Sequence, residues 1–194
     1  LVAFILYSAW HFGETDIQEW KINSRFVGFL WGLIMFSALF FSHVSELNVI
    51  LKALSVQQLP LELPWLGLFL WSLIISFLLA RLHQSLPWLL LTCFLALSYW
   101  LPLVMAFAIY FVFHHSWSGW KHLRTSFKVS NWSLFKTALP FNLGAFVLFL
   151  VLFLNTRMGW DYNIAQIFIF ISCISLPHIL SMSYFYKKLK TKRV

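Results

Sequence analysis

An all-α fold, a polytopic transmembrane helical bundle, is what this sequence predicts, on three observations. Hydrophobic residues fill 61% of the 194 positions against 10% charged, and the mean hydropathy is +0.80, so there is too little polar surface to cover a soluble globule. Several apolar runs approach the roughly 20 residues that a helix rising about 1.5 Å per residue needs to cross a hydrocarbon core of about 30 Å. Alternating polarity, the mark of a membrane β-barrel, is missing from these runs.

Seven apolar segments follow one another. Segment A, Leu1 to Phe12, is too short to span and begins without Met or the basic flank of a signal peptide, so the chain is expected to lack its natural N-terminus and upstream helices. Segments B, Phe26 to Val44, and C, Trp65 to Leu82, have spanning length. Between them SELNVILKALSVQQLPLELP is mildly amphipathic and is expected to lie along the membrane interface. Segment D, Pro87 to Trp100, is short and closes on Pro102, so D and E form a tight helical hairpin or D is tilted or broken. Segments E, Leu103 to about Trp120, F, Thr137 to Leu154, and G, Ile164 to Tyr186, complete the set. No repeat or low-complexity linker separates them, and residues 1–194 are read as a single domain with a basic tail at 187–194.

The basic residues set an orientation. With the tail KKLKTKRV cytoplasmic, the loops on that side also carry Lys21, Arg25, Arg81, Lys121, Arg124, Lys128 and Lys136, while the opposite loops hold Lys52 and Arg157. The net charge of +8 is thereby explained by positive-inside topology and anionic lipid headgroups, and no nucleic-acid partner is expected. Cys93 and Cys173 both fall in apolar spans and form neither a disulfide framework nor a thiolate metal motif.

In that topology His11, His114, His115 and His178 fall at one depth, toward the cytoplasmic ends of A, E and G. His43 falls at the opposite end of B, and His83 in a short loop beside Arg81; neither is assigned to a site. Imidazole inside a bilayer is costly, so such a histidine faces the bundle interior and has a partner. One histidine alone is as readily an interhelical hydrogen bond as a ligand. Three helices sending histidine to one layer favour a metal, and neutral imidazoles suit iron, copper or zinc.

The residues around these histidines carry a resemblance. AWHFGETD at 9–16, MAFAIYFVFHHS at 105–116 and SLPHILSM at 175–182 resemble, in order and approximate spacing, motifs of the Brp/Blh family of membrane β-carotene 15,15'-dioxygenases. The resemblance implies an Fe(II) enzyme that uses dioxygen to split the central double bond of β-carotene into two retinal molecules, which in such families commonly serve a microbial rhodopsin. It also implies that His11, of the HFGxxD element, and His115, of the HS pair, are iron ligands, with His178 of the late PH pair as a third.

Two departures from the family pattern bear on the ligand set. An early PHGAxD element has no counterpart here and would belong upstream of Leu1, and the position four after the HS histidine, often a second histidine in the family, is Gly119. His122 shares a face with His115, but seven residues of rise separate them by roughly 10 Å, so only a bend at Gly119 would let both reach one ion. His114 points about 100° away from His115 on an α-helix and is expected to support or pack against it. Gly13 is expected to end the first helix and let Asp16 turn back to orient His11, with a solvated acidic residue balancing Lys21 as the equal alternative. Tyr110, five positions before His115, falls on a different α-helical face and reads as a buried or interfacial aromatic. Pro177 is expected to kink segment G beside His178.

Twenty-two Phe and eleven Trp would supply a lining for a long polyene, although bundle contacts and interfacial belts also use such residues. A retinal-binding receptor needs a Schiff-base lysine within a span, and segment G has lysine only in its tail. A haem-binding electron carrier using two of the histidines, and a transport or assembly protein using them as structural hydrogen bonds, stand as the alternatives.

Overall fold

The computed structural model describes residues 1–154 and 160–191, and among them every regular element is helical. Arg157, counted above with the sparsely charged loops, and residues 192–194 of the basic tail lie outside the described residues. Two compact units are formed, one by Leu1–Lys52 with Val56–Ser118, the other by Ala53–Ser55 with Gly119–Val194.

The first unit begins with α1 (Val2–Glu19) and α2 (Arg25–Ser42), an antiparallel hairpin closed at Lys21, whose φ of 60° turns the chain. Ser24 caps α2 by accepting from the backbone N–H of Val27 at 3.3 Å. The expectation that Gly13 ends the first helix is corrected: α1 runs unbroken through it to Glu19. Gly13 instead allows two backbones to meet. A Cβ there would fall 1.8 Å from the carbonyl oxygen of Gly28, and one at Gly32 would fall 1.9 Å from that of Ala9. Ala9 and Gly13 on α1, and Gly28 and Gly32 on α2, are thus two small-xxx-small pairs facing in antiparallel register, the pattern by which helices approach closely in lipid.

Next, α3 (Val44–Ala53) occupies part of the amphipathic linker and buries Val44, Asn48 and Leu51 along one face. A hairpin of α4 (Trp65–Leu82) and α5 (Leu86–Ser98) follows, with Ser85 capping α5 and Pro87 in its first turn, where no intrahelical donor is lost. Its polar tie is wholly buried: Ser76 Oγ lies 2.6 Å from Thr92 Oγ1 and accepts from Trp88 Nε1 at 3.0 Å. Ser76→Ala leaves that indole N–H without its acceptor and is expected to lower unfolding stability by about 1–3 kcal/mol; Ser76→Thr, which keeps the hydroxyl, should recover part of the loss in a thermal or denaturant melt.

The 13-residue α5 stays short, and four residues later α6 (Leu103–Tyr110) begins. This far corner is pinned by His43 and Glu46: His43 Nε2 donates to the carbonyl of Leu101 at 2.7 Å, and Glu46 accepts from the N–H of Leu103 at 2.8 Å. His83 lies ring to ring with Trp88 at 5.9 Å. Both histidines excluded from the site by sequence therefore have structural partners. From α6 the chain continues as a π-helix, Phe111–Ser116, and then as α7 (Trp117–Phe127).

In the second unit, α8 (Asn131–Leu154) and α9 (Trp160–Thr191) contain Pro140 and Pro177 within their helical runs, and Phe149 meets Phe170 with ring centres 5.9 Å apart. Asn131 at the start of α8 accepts from Trp120 Nε1 at 3.1 Å and from Arg124 at 3.4 Å.

Among the described residues three helical stretches are long and apolar enough to cross a membrane: Arg25–Ser42, Trp65–Leu82 and Asn131–Val151. Leu86–Ser98 and Ile169–Met182 are apolar but shorter. Among the described residues, then, three of these stretches, and not seven, meet that length and apolarity. Segment A is the apolar half of a helix whose other half carries Glu14, Asp16 and Glu19, and segment E changes helical register midway. Leu66, Leu70, Trp71, Phe77 and Leu78 of α4 are exposed, an apolar face of the kind a bilayer covers.

Candidate functional site

Asp16 is the centre of the first unit's polar interior. It is fully buried on α1, one oxygen accepts from two donors, and the other faces two imidazoles. Trp31 of α2 donates its indole N–H to Oδ2 at 2.7 Å, and Tyr110 at the end of α6 donates its hydroxyl to the same oxygen at 2.6 Å. His114 Nε2 and His115 Nδ1 lie 3.3 and 3.7 Å from Oδ1. A carboxylate is tolerated in such an interior only with this density of donors around it.

The π-helix makes the arrangement possible. Its i→i+5 bonding brings residues five apart onto one face, so Tyr110 and His115, which an α-helix separates, both turn toward Asp16. Tyr110 is the buried aromatic expected from the sequence, but the expectation that it falls on a different face from His115 is corrected. His114 also reaches the carboxylate instead of turning away from it, because the wider turn rotates the chain less per residue. Trp20 and Trp88 pack against each other and against Trp31, the indole that bonds to Asp16, with ring centres 5.1 to 5.6 Å apart.

His11, 4% exposed on α1, meets His115, 6% exposed, edge to face with ring centres 5.1 Å apart. Two imidazoles bound to one ion by bonds of about 2.1 Å at near-tetrahedral angles have their centres about 5 Å apart, and this pair has that separation. His115 Nδ1 stands 3.7 Å from Asp16 Oδ1, beyond hydrogen-bond reach, and neither atom has a hydrogen-bond partner. Among the described residues no group of three or more His, Cys, Asp or Glu side chains stands in metal-binding arrangement. Phe12 packs tilted against His115 with ring centres 4.1 Å apart, and Phe36, Phe107 and Phe111 surround Phe12 at 5.7 to 6.0 Å, giving the imidazoles an apolar wall.

His178 belongs to the second unit, exposed on α9 directly after Pro177. His122, half-buried, lies on α7, which passes through Gly119 without interruption and leaves open space around that glycine. Of the residues singled out by sequence, then, His11, Asp16, His114 and His115 lie together in the first unit. Trp31 is not among them, and Tyr110 reads from the sequence as a buried or interfacial aromatic with no role in the site. The signal that existed was chemical: a buried indole or phenol needs an acceptor, and Asp16 is the carboxylate nearest to them in the apolar interior.

Neither curated proteins nor solved structures yield a match to the chain. A family model described as beta-carotene 15,15'-dioxygenase matches residues 1–186, which covers His11, Asp16, Tyr110, His114, His115 and His178 alike. By that match over nearly its full length, the chain belongs to the beta-carotene 15,15'-dioxygenase family.

Proposed function

We propose that this protein is a multi-pass membrane iron(II) dioxygenase, with a cytoplasmic C-terminus, that cleaves the central 15,15' double bond of β-carotene to two molecules of retinal. The observation that carries the reading is the buried His11–His115 pair, spaced for one ion, in a chain of this family. His11 and His115 hold the iron in this reading, with His178 as the third ligand. The bound iron supplies the redox chemistry that dioxygen needs in order to react with a closed-shell polyene.

The chain's own residues do the rest. The aromatic wall of Phe12, Phe36, Phe107 and Phe111 keeps water from the pair and offers flat apolar faces to a conjugated chain. Phe111 is 40% exposed yet stacks on His115 with centres 5.8 Å apart, so the histidine lies one ring from the surface. A substrate dissolved in the bilayer reaches it laterally. The stoichiometry closes without an external reductant: one carbon–carbon double bond and one dioxygen are consumed, and two aldehyde groups form.

Expression of the complete gene in carotene-accumulating bacteria tests the reading. Bleaching of the pigment with retinal as the only apocarotenoid is the expected result. Unchanged pigment, with the protein inserted in the membrane, would reject it, and aldehydes of unequal length would reject the central position of cleavage. Retinal formed in this way is a chromophore that a microbial rhodopsin can take up.

A further inference from the structure

At the C-terminal end of α2 a cavity of about 490 Å³ is lined by residues 42–46 and 99–102. Both stretches begin where an apolar helix stops: Ser42 is the last residue of the spanning stretch of α2, and Ser98 is the last of α5. A helix of that length ends where hydrocarbon gives way to lipid headgroups, which places the cavity in the headgroup layer. No lysine or arginine lines it, and its acidic side chain is Glu46. Glu46 Oε2 accepts from the N–H of Leu103 at 2.8 Å, which fixes the carboxylate, and a carboxylate bonded in this way keeps acceptor capacity for further donors. His43 is turned into the wall, with Nε2 on the carbonyl of Leu101 at 2.7 Å and Nδ1 2.7 Å from Ser42 Oγ. Tyr99 and Trp100 are 45% and 75% exposed, with ring planes at 84° and centres 5.7 Å apart, and Phe69 of α4 backs Tyr99 at 5.8 Å.

We propose that this cavity binds the ammonium headgroup of a membrane phospholipid, with Glu46 as counter-charge and Tyr99 and Trp100 as aromatic walls. A fixed carboxylate beside two rings, with no side-chain ammonium or guanidinium to neutralise it, is the setting that an alkylammonium ion takes: the carboxylate supplies opposite charge and acceptors, and the ring faces carry negative potential. The two ends of α2 differ in the charge they present. Lys21 and Arg25 flank its start and suit anionic headgroups, whereas Glu46 at its far end suits a cationic nitrogen and repels an anionic lipid. The lipid source follows from position, since a cavity in the headgroup layer meets phospholipid at far higher local concentration than any dissolved amine. An occupant also braces the corner where Glu46 of α3 holds the start of α6, so binding stabilises the folded chain by mass action. The inference rests on the membrane reading and is independent of iron and carotenoid.

The test uses the full-length protein in phosphatidylglycerol nanodiscs, to which phosphatidylethanolamine or its N-acetyl derivative is added. The two added lipids share tails and phosphate, and only the first has a cationic nitrogen. Lipid retention is read by native mass spectrometry and the melting temperature is followed in parallel. The wild type is expected to retain phosphatidylethanolamine several-fold better and to melt higher with it. Glu46→Gln keeps an acceptor for the N–H of Leu103 and removes the charge, and Trp100→Leu removes the more exposed ring. Each should lower the retention ratio by about 2–5-fold, the size of one exposed ion pair or one exposed cation–π contact. Equal retention of the two lipids by the wild type overturns the proposal, and so does a ratio that neither variant lowers. Displacement of the bound lipid by dissolved phosphoethanolamine would overturn the lipid as occupant in favour of a free amine. Should Glu46→Gln loosen the corner, Trp100→Leu decides by the same ratio, because its side chain lies largely outside the packed interior.

Discussion

Replacing His115 with Ala is expected to abolish iron retention and retinal formation together, and His11→Ala should do the same. The two rings are buried on separate helices 5.1 Å apart between centres. Removing either leaves one nitrogen donor of the pair, too few to hold an exchangeable divalent ion against chelators. His122→Ala is the matched control: it lies beyond Gly119 on an uninterrupted α7 and should leave iron content near the wild-type value. Metal analysis of the purified full-length protein, with retinal followed by chromatography, reads both effects. Iron retained by His115→Ala would dismiss the pair as a ligand set, whereas iron lost by His122→Ala in a folded protein would move the site toward α7. His178→Ala decides the third ligand, with loss of iron expected.

The second large effect reverses the usual sign of a glycine substitution. Gly→Ala inside a helix ordinarily stabilises by about 0.5–1 kcal/mol. At Gly119 and Gly144 a Cβ would meet nothing within 4 Å, so Ala at either should leave the protein as stable as before or slightly more so. At Gly13 and Gly32 the same methyl would sit 1.8 and 1.9 Å from backbone oxygens that have no rotamer to give. The helices must part, and overpacking of this kind costs about 1–3 kcal/mol or more. The separation also reaches the site, because Asp16 on α1 is held by Trp31 on α2 at 2.7 Å. A displacement of about 1 Å near a reacting centre can cost on the order of 100-fold in rate. Gly13→Ala and Gly32→Ala are therefore expected to lower both the melting temperature and retinal yield, and a gain of stability at either position would show that the hairpin relaxes at no cost.

Helical class, the apolar runs and the histidine-bearing motifs were legible in the residues alone. Backbone groups in hydrocarbon must bond within their own segment, so a long apolar run has few options besides a helix. The HFGETD and HHS elements could be read as chemistry because imidazole and carboxylate are expensive in such a run and so mark themselves. Which helices have the length to span was less legible, since the Glu and Asp side chains of α1 belong to the same helix as its apolar half and no local feature marks the boundary.

Gly13, Tyr110 and Trp31 were decided by tertiary structure. A glycine that ends a helix and one that lets a second backbone approach are identical in sequence; Gly28, fifteen positions away, makes Gly13 the latter. Tyr110 follows the same logic over a longer distance. Local propensity favours the 3.6-residue turn, which would point Tyr110 away from His115, and the wider π turn begins directly after Tyr110, which bonds to a carboxylate 94 positions earlier. Periodicity is a local property and can be counted along the chain. The partner of a buried hydrogen bond is set only when separate helices meet, and in this protein that partner is Asp16.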